Sequence, residues 1–131
     1  MRPVVVDASA LAAVVFGEPG ADEVARCLDG AAIFAPDLLA FELASVARKK
    51  LRQHPERAEE ILRALWAALD PRRGIEWRAV DHGDVVMLAL RTGLTPYDAS
   101  YLWLAGYLEA DLVTLDQRLA AAESGTAAYG G

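Results

Sequence analysis

Pro3-Val4-Val5-Val6-Asp7, followed at once by Ala8-Ser9-Ala10-Leu11-Ala12-Ala13-Val14-Val15-Phe16, is the stretch on which the fold turns. Three consecutive valines make a short β-branched run of the buried-strand kind. The alanine- and leucine-rich run after it reads as a helix and stops at Gly17-Glu18-Pro19-Gly20. A buried strand that ends in an acid and passes directly into a helix is the opening unit of an α/β sheet.

The same alternation continues outward from that unit. Ala21 to Leu28 reads as a short amphipathic helix and Ala31 to Ala35 as a second buried strand. Pro36-Asp37 opens a long helix from Leu38 to about Gln53, and Pro55 starts another that runs to about Leu69 before Asp70-Pro71. Ile75 to Val80 alternates as a strand, Gly83 to Arg91 is helical, and Thr95-Pro96 starts a helix reaching Leu108. Asp111 to Leu115 reads as the last core strand, and Gln117 to Glu123 as a short closing helix before a frayed Gly130-Gly131 end. There is no repeat, linker or low-complexity segment. The pattern predicts one three-layer α/β/α domain over 1–131 with a mainly parallel central sheet.

The totals narrow the chemistry. A length of 131 residues suits one domain with a real core. A single cysteine, Cys27, rules out an internal disulfide and a cysteine-based zinc cage. The two histidines, His54 and His82, are far apart and lack a second ligand type at metal-site spacing. Asp7 interrupts the N-terminal apolar run, so it does not read as a signal peptide, and the expected location is the cytoplasm. The formal net charge of −6 opposes phosphate binding as a total. Acids that hold a divalent cation would reverse that balance locally.

In an open parallel sheet, ligands bind beyond the carboxyl ends of the strands. Asp7 closes the first strand and Asp116 follows the last. Glu42 is the only charge between Leu38 and Ala47, and Leu38, Leu39, Ser45 and Val46 are its helical neighbours. It therefore falls on the stripe that should face the core. Asp98 lies in the first turn of the helix that begins Thr95-Pro96-Tyr97. Each acid also has an ordinary reading. Asp7 and Asp116 suit N-caps, Asp98 completes a Thr-x-x-Asp capping box, and Glu42 can turn aside to solvent.

The functional reading is a metal site. Magnesium takes oxygen ligands in octahedral geometry and keeps several waters. Carboxylates that converge without a cation repel one another and their pKa values rise. A bound divalent ion removes that penalty, lowers the pKa of an attached water and orients a phosphodiester. Ser9 and Thr114 stand two residues from Asp7 and Asp116, so Thr114 on an extended strand would share a face with Asp116 and buttress it or order a ligand water. Their ordinary reading is capping or strand packing.

Val4-Val5-Val6-Asp7-Ala8-Ser9, a mid-chain helix carrying Glu42, Tyr97-Asp98-Ala99, and Leu112-Val113-Thr114-Leu115-Asp116 together resemble the PIN-domain family. More narrowly they resemble the VapC toxins of bacterial and archaeal toxin–antitoxin pairs. The similarity covers essentially the whole chain, and the ordered set of four acids carries it. It implies a PIN-like fold with Asp7, Glu42, Asp98 and Asp116 as a catalytic acidic site that holds Mg2+ or Mn2+, supported by Ser9 and Thr114. It implies endoribonuclease activity on a structured RNA such as transfer or ribosomal RNA, a homodimer, and a cognate antitoxin that silences the enzyme. One departure is that Leu119 stands where many relatives have an aromatic residue.

Arg48-Lys49-Lys50-Leu51-Arg52 is the densest positive stretch and continues the helix that carries Glu42. Arg48, Lys49, Lys50 and Arg52 are thus the candidate RNA-binding residues, against the ordinary reading of a solvated helix end. Trp66, Trp77, Trp103, Tyr101 and Tyr107 receive no functional role and suit a core or oligomer interface. The antitoxin is expected in a groove near the paired helices Leu38–Gln53 and Pro55–Leu69.

Other magnesium-dependent phosphoryl chemistries fit less well. A receiver-type module needs a lysine near the last strands, and Lys49 and Lys50 are the only lysines. A HAD-type phosphatase needs Asp-x-Asp where this chain has Asp7-Ala8-Ser9. No phosphate-cradling glycine loop is present. The remaining alternative is a PIN-like module that binds RNA or protein without cutting.

Overall fold

The computed structural model describes residues 1–130, without the side chains of Arg73 and 125–130. Of the expected frayed end Gly130-Gly131, Gly131 lies outside the described residues, and Gly130 instead closes the last helix. The elements are β1 (Pro3–Val6), α1 (Ala8–Phe16), α2 (Ala21–Leu28), β2 (Ala32–Pro36), α3 (Leu38–Gln53), α4 (Ala58–Leu69), β3 (Ile75–Arg78), α5 (His82–Thr92), α6 (Pro96–Tyr107), β4 (Asp111–Val113) and α7 (Gln117–Gly130). Short 3-10 turns at Pro55–Arg57 and Pro71–Arg73 flank α4. Each begins with proline, whose missing N–H and fixed φ suit the first position of a helical turn.

All four strands are parallel, in the order β3-β2-β1-β4. With helices on both faces this is the three-layer α/β/α architecture that the strand–helix alternation predicts. The first two crossovers step outward from β1 to β2 to β3. The third returns past them to place β4 on the free side of β1, which makes the β1/β4 pair the switch point of the sheet. A crevice opens there because neighbouring crossovers leave in opposite directions.

Val4, Val5 and Val6 are completely buried, as an apolar strand covered on both faces requires. Helix α6 packs on β1, β2 and β4, while α1 packs against α2, α3 and α4. Leu39, Leu43 and Ala47 give α3 its buried stripe, and Ala99, Leu102, Leu104 and Ala105 do so for α6.

Several boundaries differ from the sequence pattern, most by one residue. β3 ends at Arg78 and β4 at Val113, each two residues short of the alternating run. At β4 the reason is visible: Leu115 N–H donates to Ser9 Oγ and Asp116 N–H to Thr114 Oγ1, so side chains take the donors a ladder would use. α7 extends beyond Glu123. Among the described residues, no helix is long and apolar enough to cross a membrane.

Candidate active site

Asp7 is the first residue after β1, and its side chain turns back over the start of α1. Its Oδ1 accepts the Ala10 N–H at 3.0 Å as a helix N-cap and the Ser9 hydroxyl at 2.8 Å. Its Oδ2 accepts the Thr114 hydroxyl at 2.6 Å, across the switch point. Asp7 is only 5% exposed, so both of its oxygens need partners, and the fold supplies three. Burial nevertheless pushes its pKa up from 3.8, the three hydrogen bonds pull the other way, and the nearby charge of Asp116 adds to the rise.

Thr114 therefore acts on Asp7, whereas the sequence pattern paired it with Asp116. β4 ends at Val113, before either residue of that pairing, and the chain bends at Leu115. Its hydroxyl donates to Asp7 and accepts the Asp116 N–H at 2.9 Å, which ties the two acidic positions together. Ser9 plays the matching part, donating to Asp7 while accepting the Leu115 N–H at 3.0 Å.

Asp116 caps α7, with Oδ1 accepting the N–H groups of Arg118 and Leu119. Thr95 caps α6 by accepting the Asp98 N–H at 3.2 Å, which leaves the Asp98 carboxylate half-buried. Capping and site formation are thus compatible at both ends. The same turn that satisfies a helix N-terminus aims a carboxylate at the strand ends.

Glu42 does not swing to solvent. It is half-buried on α3, and the hydroxyl of Tyr101 from α6 donates to its Oε1. Burial raises its pKa from 4.5, the Tyr101 bond opposes the rise, and Asp98 and Asp7 reinforce it. Tyr101 is 1% exposed, and burial together with the Glu42 contact raises its own pKa. Composition assigned this tyrosine no role. The signal that finds it is spacing: Tyr101 lies three residues after Asp98 on one helix, hence on the same face.

Electrostatics joins the four acids. Asp98 is raised from 3.8 by burial first, then by Asp116 and Asp7, with Arg118 opposing. Among the described residues, Arg118 gives the only cationic contribution to the Asp7, Glu42 and Asp98 shifts. The sequence reading had also passed over this arginine. Among the described residues no three Asp, Glu, His or Cys side chains are gathered tightly enough to hold one ion together. Magnesium itself takes one or two carboxylates directly and keeps several waters. An all-oxygen set in which Asp7, Glu42 and Asp98 have raised pKa values fits a hard divalent cation.

The basic tract divides. Lys50 is committed to Glu18 at 2.7 Å and lies over the Phe16 ring. Arg48, Lys49 and Arg52 are exposed, and among the described residues no ion pair involves them. Lys49 follows Glu42 by seven residues, two helical turns, so it alone of the four stands on the Glu42 face.

Replacing Tyr101 with Phe tests the Glu42 contact. The half-buried carboxylate loses its donor, and the expected cost is about 1.5 kcal/mol in urea unfolding, with the Glu42 pKa moving further up. Unchanged stability and an unchanged Glu42 titration by NMR would mean that the contact does not form in solution.

The PIN domain family pattern matches residues 4–124 of this chain. Ribonuclease VapC3 of Pyrobaculum aerophilum is 34% identical over 120 residues, which cover 88% of this chain and 91% of that protein. The crystal structure of PAE2754 from Pyrobaculum aerophilum superposes with a TM-score of 0.75 at 28% identity, covering 95% of this chain and 88% of that one.

Proposed function

The chain belongs to the PIN-domain family, to its VapC type, and from that premise we propose that it is a metal-dependent endoribonuclease and the toxin of a toxin–antitoxin pair. The observation that carries the reading is the convergence of Asp7, Glu42, Asp98 and Asp116 from four separate elements at the switch point of the sheet. A shared task explains why Asp7, Glu42 and Asp98 are raised by burial and by neighbouring carboxylates, Asp116 among them.

Asp7, with Asp98, Asp116 and Glu42 around it, would hold Mg2+ or Mn2+. When bound, the ion supplies positive charge for the phosphodiester and lowers the pKa of an attached water. The protein's own part is positional. Ser9, Thr114 and the Ala10 N–H hold the Asp7 carboxylate in one orientation. Tyr101 fixes Glu42. Asp98 and Asp116 stand half-buried at the mouth, where their carboxylates can accept hydrogen bonds from water that faces the RNA.

Cleavage of a structured RNA pool by the purified protein, with magnesium, manganese or EDTA, tests the proposal. Products that require the metal support it. RNA retained without products under every condition would favour the non-cutting binder.

For partners, the α3–α4 hairpin exposes Phe41 and Trp66, an apolar surface suited to the antitoxin. Val86, Met87 and Leu90 on α5 are exposed beside Tyr97 and Tyr107 of α6, and they support a homodimer. Amide exchange should slow in α3 and α4 when the antitoxin binds. Protection confined to other helices would move the antitoxin site.

A further inference from the structure

A cavity of about 470 Å³ lies beside the acidic site, between α1, the Glu18-Pro19 turn, α3 and Leu115. Ser9 belongs to both places, since it lines the cavity and donates its hydroxyl to Asp7. The floor is apolar, with Ala8, Ala12 and Val46. The rim on α3 carries Lys49 and Gln53, which continue the face that bears Glu42.

The two lysines at this cavity are not equivalent. Lys50 is neutralised by Glu18, and the same contact offsets the carboxylate that lines this cavity. Lys49 keeps its charge uncompensated among the described residues. The wall is firm, because a Cβ at Gly20 would come within 2.9 Å of Leu115 Cδ1, so Leu115 rests directly on that backbone.

We propose that this cavity seats one unpaired RNA nucleotide next to the cleaved bond, its base on the apolar floor and its phosphate at Lys49. The proposal rests on the nuclease reading and deepens it. An apolar floor with an amide and, at the rim, a lysine with no ion pair among the described residues matches a base edge and a phosphate. A duplex keeps its bases stacked and cannot fill such a hollow, so the favoured substrate is a loop or single-stranded segment.

The test is fluorescence anisotropy of a labelled, unstructured ten-nucleotide RNA, read in EDTA so that cleavage plays no part. Lys49→Ala is expected to weaken binding about fivefold and to reduce the slope of log affinity against log salt by about 0.7. Val46→Phe fills the floor and leaves every charge in place, so it should weaken binding about fivefold with the slope unchanged. Arg63→Ala, on α4 and paired with Glu59, is the charge control and should change neither quantity. A duplex of the same sequence should bind at least about fivefold more weakly than the single strand.

A folded Val46→Phe protein that binds like wild type overturns the proposal, as does a wild-type protein that fails to retain the probe. If Val46→Phe does not fold, photocrosslinking of a 4-thiouridine-containing strand decides the matter. Crosslinks at Val46 to Gln53 support the pocket, and crosslinks confined to other elements overturn it. These readouts are independent of turnover, so a protein that cleaves RNA but ignores the variants loses the pocket and keeps the nuclease reading.

Discussion

Asp7→Asn is expected to lower RNA cleavage by roughly a thousandfold or more while the protein stays folded. The fold tolerates the change because asparagine is as good an N-cap as aspartate. Its carbonyl oxygen can still accept from Ala10 N–H and the Ser9 hydroxyl, and its amide can donate to Thr114 Oγ1. What disappears is the negative charge on the most buried of the four acids. Circular dichroism and the melting temperature of the metal-free variant should match or slightly exceed wild type, since an ionised carboxylate no longer has to be buried. A folded Asp7→Asn protein that cleaves at the wild-type rate would remove this acid from the chemistry and, with it, the proposed site.

The second large effect is on stability, and it links pH to metal. Asp7, Glu42 and Asp98 all have pKa values raised above 3.8, 4.5 and 3.8, by burial first and then by nearby carboxylates. A carboxyl with a raised native pKa binds its proton more tightly folded than unfolded. Stability therefore falls as pH rises from the ordinary carboxylate value through the raised one, and is lowest above it. The metal-free protein should melt at a higher temperature near about pH 5 than near about pH 7.

Magnesium should reverse that order. At a hundred times its dissociation constant it would stabilise the native state by about 2.7 kcal/mol, on the order of 10 °C in melting temperature. The shift should shrink near about pH 5, where protons compete for the same oxygens. Glu42→Gln should keep the Tyr101 hydrogen bond, raise metal-free stability and reduce the magnesium shift. A melting temperature that ignores magnesium at pH 7, or a metal-free protein that loses stability on mild acidification to pH 5, would contradict an assembled carboxylate site.

Much of this arrangement was legible in particular residues. Val4 to Val6 read as a buried strand because nothing in them tolerates water, and they are completely buried. The bounds of α1, α2 and α3 follow from Gly17, Pro19-Gly20 and Pro36-Asp37, where backbone freedom or a missing donor interrupts a helix. Glu42 stood out as a charge on an apolar stripe, and it is half-buried with a partner. Short strands were harder, since alternation at Thr114 and Leu115 resembles β structure until side chains compete for the donors.

By itself, then, the chain order of apolar and capping residues determined a parallel α/β sheet with acids at the carboxyl ends of its strands. Local periodicity is enough for that, because strand and helix patterns depend on neighbours within a few residues. Which acids share a crevice, that Thr114 serves Asp7, that Tyr101 holds Glu42 and that Glu18 neutralises Lys50 but not Lys49 were decided only by the tertiary structure. Those contacts join residues 32 to 107 positions apart. Distance along the chain carries no record of them, and they exist only once the sheet order brings β4 beside β1 and lays α3 and α6 against the same strand ends.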